Sequence, residues 1–137
     1  MPGQKNSVII DTNLWISFLL TKDLSKFDSI IANNEITLIF SQEFVDEIVE
    51  VTQRSKFRKY FELDDVESLM IKIRARAIFI EVSSNINACR DPKDNLLLSL
   101  SVDGNATHLL TGDKDLLVLK KFGKTKILKI TEYLAGS

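Results

Sequence analysis

The chain has 137 residues, the size of a single domain (1–137) that can bury a core without disulfides or structural metals. Its 18 Lys and Arg against 19 Asp and Glu leave a formal net charge of −1. Bulk attraction to nucleic acid is thereby excluded as an argument, although a local basic stripe can still bind phosphates. One cysteine, Cys89, excludes an intrachain disulfide, a Cys-ligated zinc site and a redox pair, and fits a reducing compartment.

The opening Met-Pro-Gly-Gln-Lys-Asn-Ser has no apolar signal-peptide core and leads into a strand. No run approaches the roughly 20 apolar residues of a membrane span, so a cytoplasmic protein without a membrane partner is expected. Val8–Ile10 reads as a buried strand, followed by a short helix over Leu14–Leu20. Leu24–Asn33 reads as a helix with Phe27, Ile30 and Ile31 at helical spacing, and Ile36–Phe40 as a strand. Ser41 is a plausible N-cap for a helix to about Gln53. Asp64–Ala77 carries Val66, Leu69, Met70 and Ile73 at helical spacing, and Ile78–Val82 reads as a strand. Asp91-Pro92 opens a helix through Val102, with Asp at the N-cap and Pro at the first helical position. Thr107–Leu110 and Lys126–Ile130 complete the strands. Alternating strands and helices predict an α/β fold, Rossmann-like, with a central parallel sheet and helices on both faces.

Two carboxylates stand at strand exits: Asp11 after Val8-Ile9-Ile10, and Asp113 after the run His108–Leu110 and Thr111-Gly112. In an open parallel sheet both exits share the carboxyl edge, where ligands bind. Taken alone, each has a structural explanation: Asp11 can cap the helix near Leu14, and Asp113 can belong to a Gly-Asp turn. Asp115 can cap a short helix at Leu116–Leu119 or support the ligands. On the helix after Ser41, Phe44, Val45, Ile48, Val49 and Thr52 form an apolar stripe, leaving Glu43, Asp46 and Glu50 to solvent. Glu47 falls at the stripe's margin and leans back towards the sheet's carboxyl edge. Asp94, three residues after Asp91, suits a helix dipole but also sits near that edge, with Asp91 as cap or supporting group. Four converging carboxylates, Asp11, Glu47, Asp94 and Asp113, would repel one another unless a cation lay between them. Hard oxygen donors without His or Cys favour Mg²⁺ or Mn²⁺, which activate water and stabilise charge on a phosphoryl group.

Val-Ile-Ile-Asp-Thr-Asn at 8–13, Ser-Gln-Glu-Phe-Val-Asp-Glu-Ile at 41–48, Asp-Pro-Lys-Asp-Asn at 91–95 and Thr-Gly-Asp-Lys-Asp-Leu at 111–116 resemble the PIN-domain ribonucleases. The resemblance is closest to the toxin components of bacterial and archaeal toxin–antitoxin systems (VapC-like). The family's four acidic positions map to Asp11, Glu47, Asp94 and Asp113, with Asp115 the alternative to Asp113. The resemblance implies Mg²⁺- or Mn²⁺-dependent cleavage of single-stranded RNA to a 5′-phosphate and a 3′-hydroxyl. It also implies a homodimer and a cognate antitoxin whose tail fills the acidic groove.

Asn13, Thr111, Asp115 and Asp91 are expected to orient the four ligands. Arg54, Lys56, Arg58 and Lys59 interleave with Phe57 and Tyr60, either as an RNA-tracking patch or as a solvated helix end with packed aromatics. Lys72, Arg74, Arg76, Lys120, Lys121 and Lys124 read as ordinary exposed charges, His108 as structural, Trp15 and Phe18 as core, and Cys89 as a small buried hydrophobe. Two other functions compete. One is a different Mg²⁺-dependent phosphoryl-transfer enzyme, weakened by the lack of a Gly-rich phosphate loop. The other is a non-catalytic dimeric module that binds a partner peptide in the acidic groove.

Overall fold

The computed structural model describes residues 6–21, 25–33, 35–54 and 63–136. Strand β1 is Asn6–Ile10, followed by helices α1 (Thr12–Thr21) and α2 (Ser25–Ile31) and strand β2 (Ile36–Phe40). Helix α3 is Gln42–Thr52, α4 is Leu63–Arg76, and strand β3 is Ala77–Phe79. Helix α5 is Pro92–Asp103, β4 is His108–Leu110 and α6 is Lys114–Leu117. The short strands β5 (Lys121–Phe122) and β6 (Thr125–Leu128) and helix α7 (Ile130–Ala135) end the chain's described part. Among the described residues, no helix is long and apolar enough to cross a membrane.

The strands form one sheet in the order β3-β2-β1-β4-β6-β5, parallel throughout except for the β5–β6 pair. From β1 the chain steps outwards to β2 and β3, then returns to place β4 on the other side of β1. Right-handed crossovers in opposite directions put helices on both faces. They also make the β1–β4 seam the switch point, where a crevice opens beyond the strand ends. The central strands are apolar on both sides, as a doubly covered sheet requires: Val8–Ile10, Leu38–Phe40, Leu109 and Leu110 are all buried. Trp15 packs on Phe18 and Phe40, and its Nε1 donates to the carbonyl of Ile10 at 2.9 Å. Both Trp15 and Phe18 are core residues, as expected.

Several boundaries differ from the sequence expectation, each for a hydrogen-bonding reason. The strand expected over Ile78–Val82 is Ala77–Phe79. Its partner β2 stops at Phe40, and the amide of Ile80 makes the last bond, to the Phe40 carbonyl at 2.8 Å. Beyond it, the extended segment 81–90 turns to α5 for partners. Asp103 accepts from the amides of Ser83 and Ser84 and from the Ser84 hydroxyl. Ser99 Oγ accepts from the amide of Ile86, and Asn95 exchanges two bonds with the backbone of Cys89. Residues 95, 99 and 103 are four apart and share one helix face.

The strand expected over Lys126–Ile130 ends at Leu128, because Ile130 starts α7. The Lys129 amide donates to Glu132 Oε1 at 3.0 Å at that helix start. Strand β5 was not expected; Gly123, at φ +60°, makes the turn that folds it against β6. This edge strand is only two residues long and carries Lys121, devices that discourage pairing with another chain. The short helix after Thr111-Gly112 is Lys114–Leu117 rather than Leu116–Leu119, and Asp113, not Asp115, caps it. Leu24 and the Lys56–Tyr60 stretch lie outside the described residues.

Gly104 ends α5 where it meets the sheet. A Cβ there would lie 2.8 Å from Ile39 Cγ2 and 3.0 Å from the Leu100 carbonyl oxygen. Ile39 is itself buried and branched, so it cannot swing away. The φ of Gly104, −89°, suits any residue, so the constraint is steric. Gly104→Ala should therefore destabilise the fold by about 1–2 kcal/mol, the overpacking cost outweighing the entropy gain. Urea denaturation at unchanged m-value is the check; a neutral or stabilising change would contradict it.

Candidate metal centre

Four segments deliver carboxylates to the carboxyl edge. Asp11 directly follows β1, and its amide still bonds the Leu110 carbonyl of β4 at 2.9 Å. Its carbonyl accepts from Leu14 and Trp15 and its Oδ1 from the Asn13 amide at 3.2 Å, so Asp11 does cap α1. Its Oδ2 accepts from Thr111 Oγ1 at 2.7 Å. The same Thr111 oxygen accepts the amide of Asp113 at 3.0 Å. Asp113 Oδ1 in turn accepts the amide of Asp115 at 2.8 Å. Asp91 caps α5 through the Lys93 amide at 2.9 Å, which sets Asp94 at the third helical position, facing inwards.

Asp11, Glu47, Asp94 and Asp113 all line one cleft of about 260 Å³, together with Asn13 and Asp91. All four acidic positions expected from the sequence therefore come together, as do the positions expected to support them. Within the cleft they are not equivalent. One oxygen each of Asp94, Asp113 and Asp115 lies within 4.8 Å of the others, a tighter group than any that includes Asp11 or Glu47 among the described residues. Asp115 is thus a direct neighbour of Asp113 rather than a remote cap. It is exposed and also meets Arg90 at 3.4 Å. Glu47 stands on the opposite wall, 3.5 Å from Lys93 Nζ. Glu43, Asp46 and Glu50 are exposed on the same helix, as the stripe predicted.

Asp94 carries the strongest electrostatic signal. It is 4% exposed, and its Oδ2 has no hydrogen-bond partner. Burial first, then the charge of Asp113 and the proton the two can share, push its pKa up to about 7; Asp91 and Asp11 add to the effect. Burial also raises the pKa of Asp11, against the hydrogen bonds from Thr111 and Asn13. Unsatisfied buried carboxylate oxygens are costly, and a cation among them removes the cost. The donors are all oxygens, with no thiolate or imidazole, so the residues present fit a hard divalent ion such as Mg²⁺ or Mn²⁺.

Sequence reasoning missed three contributors. Lys93 lines the cleft, Arg90 reaches Asp115, and Asn95 fastens the segment leading to Asp91. Lys93 alone left a trace in the sequence, as a cation in the first turn of an acid-rich helix start. Asn13 reaches Asp11 through its backbone amide, and its side chain is exposed. Of the basic patch, Arg54 lines the cleft and pairs with Glu50 at 3.4 Å; Lys56, Arg58 and Lys59 lie outside the described residues. His108 is half-buried against Tyr133, and burial and Lys126 lower its pKa, consistent with a neutral, structural imidazole. Cys89 is half-buried rather than buried, and burial with the nearby acids pushes its thiol up.

A doubly wound sheet whose switch point opens on clustered carboxylates defines an α/β domain with an acidic cleft of a kind that fits a divalent cation. Residues 7–115 match the PIN domain family, and the chain belongs to that family. It is also similar to an uncharacterized protein of Methanocaldococcus jannaschii, 30% identical over 129 residues that make up 92% of this chain and 81% of the relative. PIN domains are in general nucleases that use divalent metals, and the acidic cluster is where such an ion fits.

The Asp94 shift has a testable sign. In the unfolded chain this group loses its proton near 3.8, and in the native state only near 7. Between those values the native state binds the extra proton, so this group's contribution to stability is full below about pH 4 and is lost as pH rises through 7. In EDTA-treated protein, Asp94→Asn should melt close to wild type at pH 4–5 and above it at pH 8. A melting difference that does not change with pH would refute the assigned shift.

Proposed function

We propose that this PIN domain is a Mg²⁺- or Mn²⁺-dependent endoribonuclease that hydrolyses single-stranded RNA, and that it serves as the toxin of a toxin–antitoxin pair. The buried, partnerless Oδ2 of Asp94 carries the reading. A carboxylate held there beside Asp113 is poorly suited to a packing role and well suited to a divalent ion. Asp94 and Asp113 would hold the ion with Asp11 on the strand side, and Asp115 would support or complete the set. When bound, the ion supplies Lewis acidity: it lowers the pKa of water and offsets charge on the phosphodiester.

The chain's own residues have definable tasks. Thr111 fixes the orientation of Asp11 and, through its amide contact, the turn bearing Asp113. The capped first turns of α1 and α5 hold Asp11 and Asp94 on regular backbone rather than on a loose loop. Glu47 supplies an acceptor on the opposite wall, where it can orient a water or engage a further ion. Arg54 at the cleft's rim offers a contact for an RNA phosphate. A 5′-phosphate product, a homodimer and an antitoxin with a basic tail are parts of the same proposal; they rest on the resemblance to toxin PIN proteins and on the acidity of the cleft.

End-labelled single-stranded RNA incubated with the protein and Mn²⁺ tests the activity. Asp11→Asn and Asp113→Asn should lose cleavage by several orders of magnitude with the fold intact by circular dichroism. Asp115→Asn should lose roughly 10–100-fold, as supporting groups do. Wild-type turnover in the Asp11 and Asp113 variants would sink the assignment. A dead Asp115 variant beside an active Asp113 variant would exchange the two roles.

Two further outcomes are expected. Millimolar Mn²⁺ should raise the melting temperature by binding the native state preferentially, and less so in Asp94→Asn. Induced expression should arrest a bacterial host, and the Asp11→Asn form should not. Arrest by both forms would favour a partner-binding module over a nuclease.

A further inference from the structure

Lys93 stands where its own helix disfavours it. It is the second residue of α5, in the turn whose free amides create positive potential and attract anions. Its neighbours Asp91 and Asp94 follow that preference, and Lys93 does not. Its ammonium instead crosses the cleft to α3, with Nζ 3.5 Å from Glu47 Oε1. The Glu47 side chain is 15% exposed and that of Lys93 52%. The carboxylate is therefore set into the wall, and the ammonium covers it from the solvent side. Among the described residues, the other ion pairs near the cleft, Arg54–Glu50 and Arg90–Asp115, involve exposed acids.

The two sides of the cleft consequently differ in charge balance. On the Glu47 side the acid already has a cation. On the other side Asp94 is buried with a free oxygen, next to Asp113 and Asp115. We propose that Lys93 is a built-in counter-cation that sets the order of metal loading. The first divalent ion enters on the Asp94–Asp113–Asp115 side without Glu47, and a second engages Glu47 only once the Lys93–Glu47 pair opens. This rests on the reading of the cleft as a divalent-cation site, and it adds a positioning role for a residue outside the acidic set. A divalent ion a few ångströms from a fixed ammonium is repelled strongly enough, even at a water-like dielectric, to weaken its binding by about tenfold.

The test is Mn²⁺ binding to the intact protein by calorimetry and by loss of the free-Mn²⁺ electron paramagnetic resonance signal, without RNA. Wild type should show one tighter and one weaker ion. Lys93→Met should tighten the weaker ion by about tenfold and change the tighter one by no more than about threefold. Lys93→Arg, which keeps the charge, should behave like wild type. In a Glu47→Gln background, Lys93→Met should have little effect, because the weaker ion has lost the carboxylate that binds it.

A Lys93→Met titration identical to wild type overturns the proposal, as does an equal tightening of both ions or an effect that persists in the Glu47→Gln background. Binding as described in a protein that cuts no RNA would refute the nuclease reading and leave the loading order standing. Absence of Mn²⁺ binding would refute both.

Discussion

The hydroxyl of Thr111 holds together the sheet edge that carries the acidic cleft. It donates to the carboxylate of Asp11 at the end of β1 and accepts the amide of Asp113 in the turn after β4. Two adjacent parallel strands are thus tied at their exits by one buried oxygen. Without that bond, Asp11 would be a buried carboxylate bonded only to backbone amides, facing the charge of Asp113. With it, one oxygen is oriented and neutral dipoles offset part of the repulsion. The remaining imbalance is concentrated on Asp94, whose second oxygen has nothing to bond. Like-charge crowding is therefore strongest at Asp94, while burial and the charge of Asp113 raise the pKa of Asp11 as well.

Helix capping is what permits such crowding. Asp11 caps α1, Asp91 caps α5 and Asp113 caps α6, so three of the acids each stabilise a helix start. Each cap is worth roughly 1 kcal/mol and gains from the helix dipole as well. The choice between cap and ligand posed by each acid in isolation is a false one. A cap uses one carboxylate oxygen and its lone pair, leaving the other for a neighbour or an ion. Because parallel strands deliver helix starts to the same edge, capping residues in this fold converge without any long-range device.

The segment 81–90 shows a different solution to positioning. It leaves the sheet with unpaired backbone groups and finds them partners on a single face of α5, where Asp103, Ser99 and Asn95 are spaced one turn apart. Hydrogen bonds from Ser84 and Ser83 hold the Asp103 carboxyl below its usual range, so it stays a charged acceptor. The segment is drawn along the helix towards its N-terminus, which brings Arg90 to Asp115 and Asp91 to its cap. Polar residues on α5 therefore do the work that an additional strand pairing would do elsewhere.

Local sequence determined the order and type of most elements, because apolar runs, an Asp-Pro helix start and a Ser cap act within a few residues of themselves. It also nominated Asp11, Glu47, Asp94 and Asp113, since strand exits and helix faces are properties of spacing, and the fold brings those four to one cleft. It could not decide where β3 ends, because that depends on the length of its neighbour β2. Nor could it reveal β5, whose two residues form a strand only by pairing with β6. The rank among the acids was likewise beyond it: Asp115 joins the tight group and Glu47 does not. Distances across a cleft are set by the packing of α3 and α5 on a twisted sheet, not by position in the chain. Lys93 is the plainest case: adjacent residues suggest a helix-start anomaly, and only the approach of Glu47, 46 residues earlier, gives the ammonium a partner.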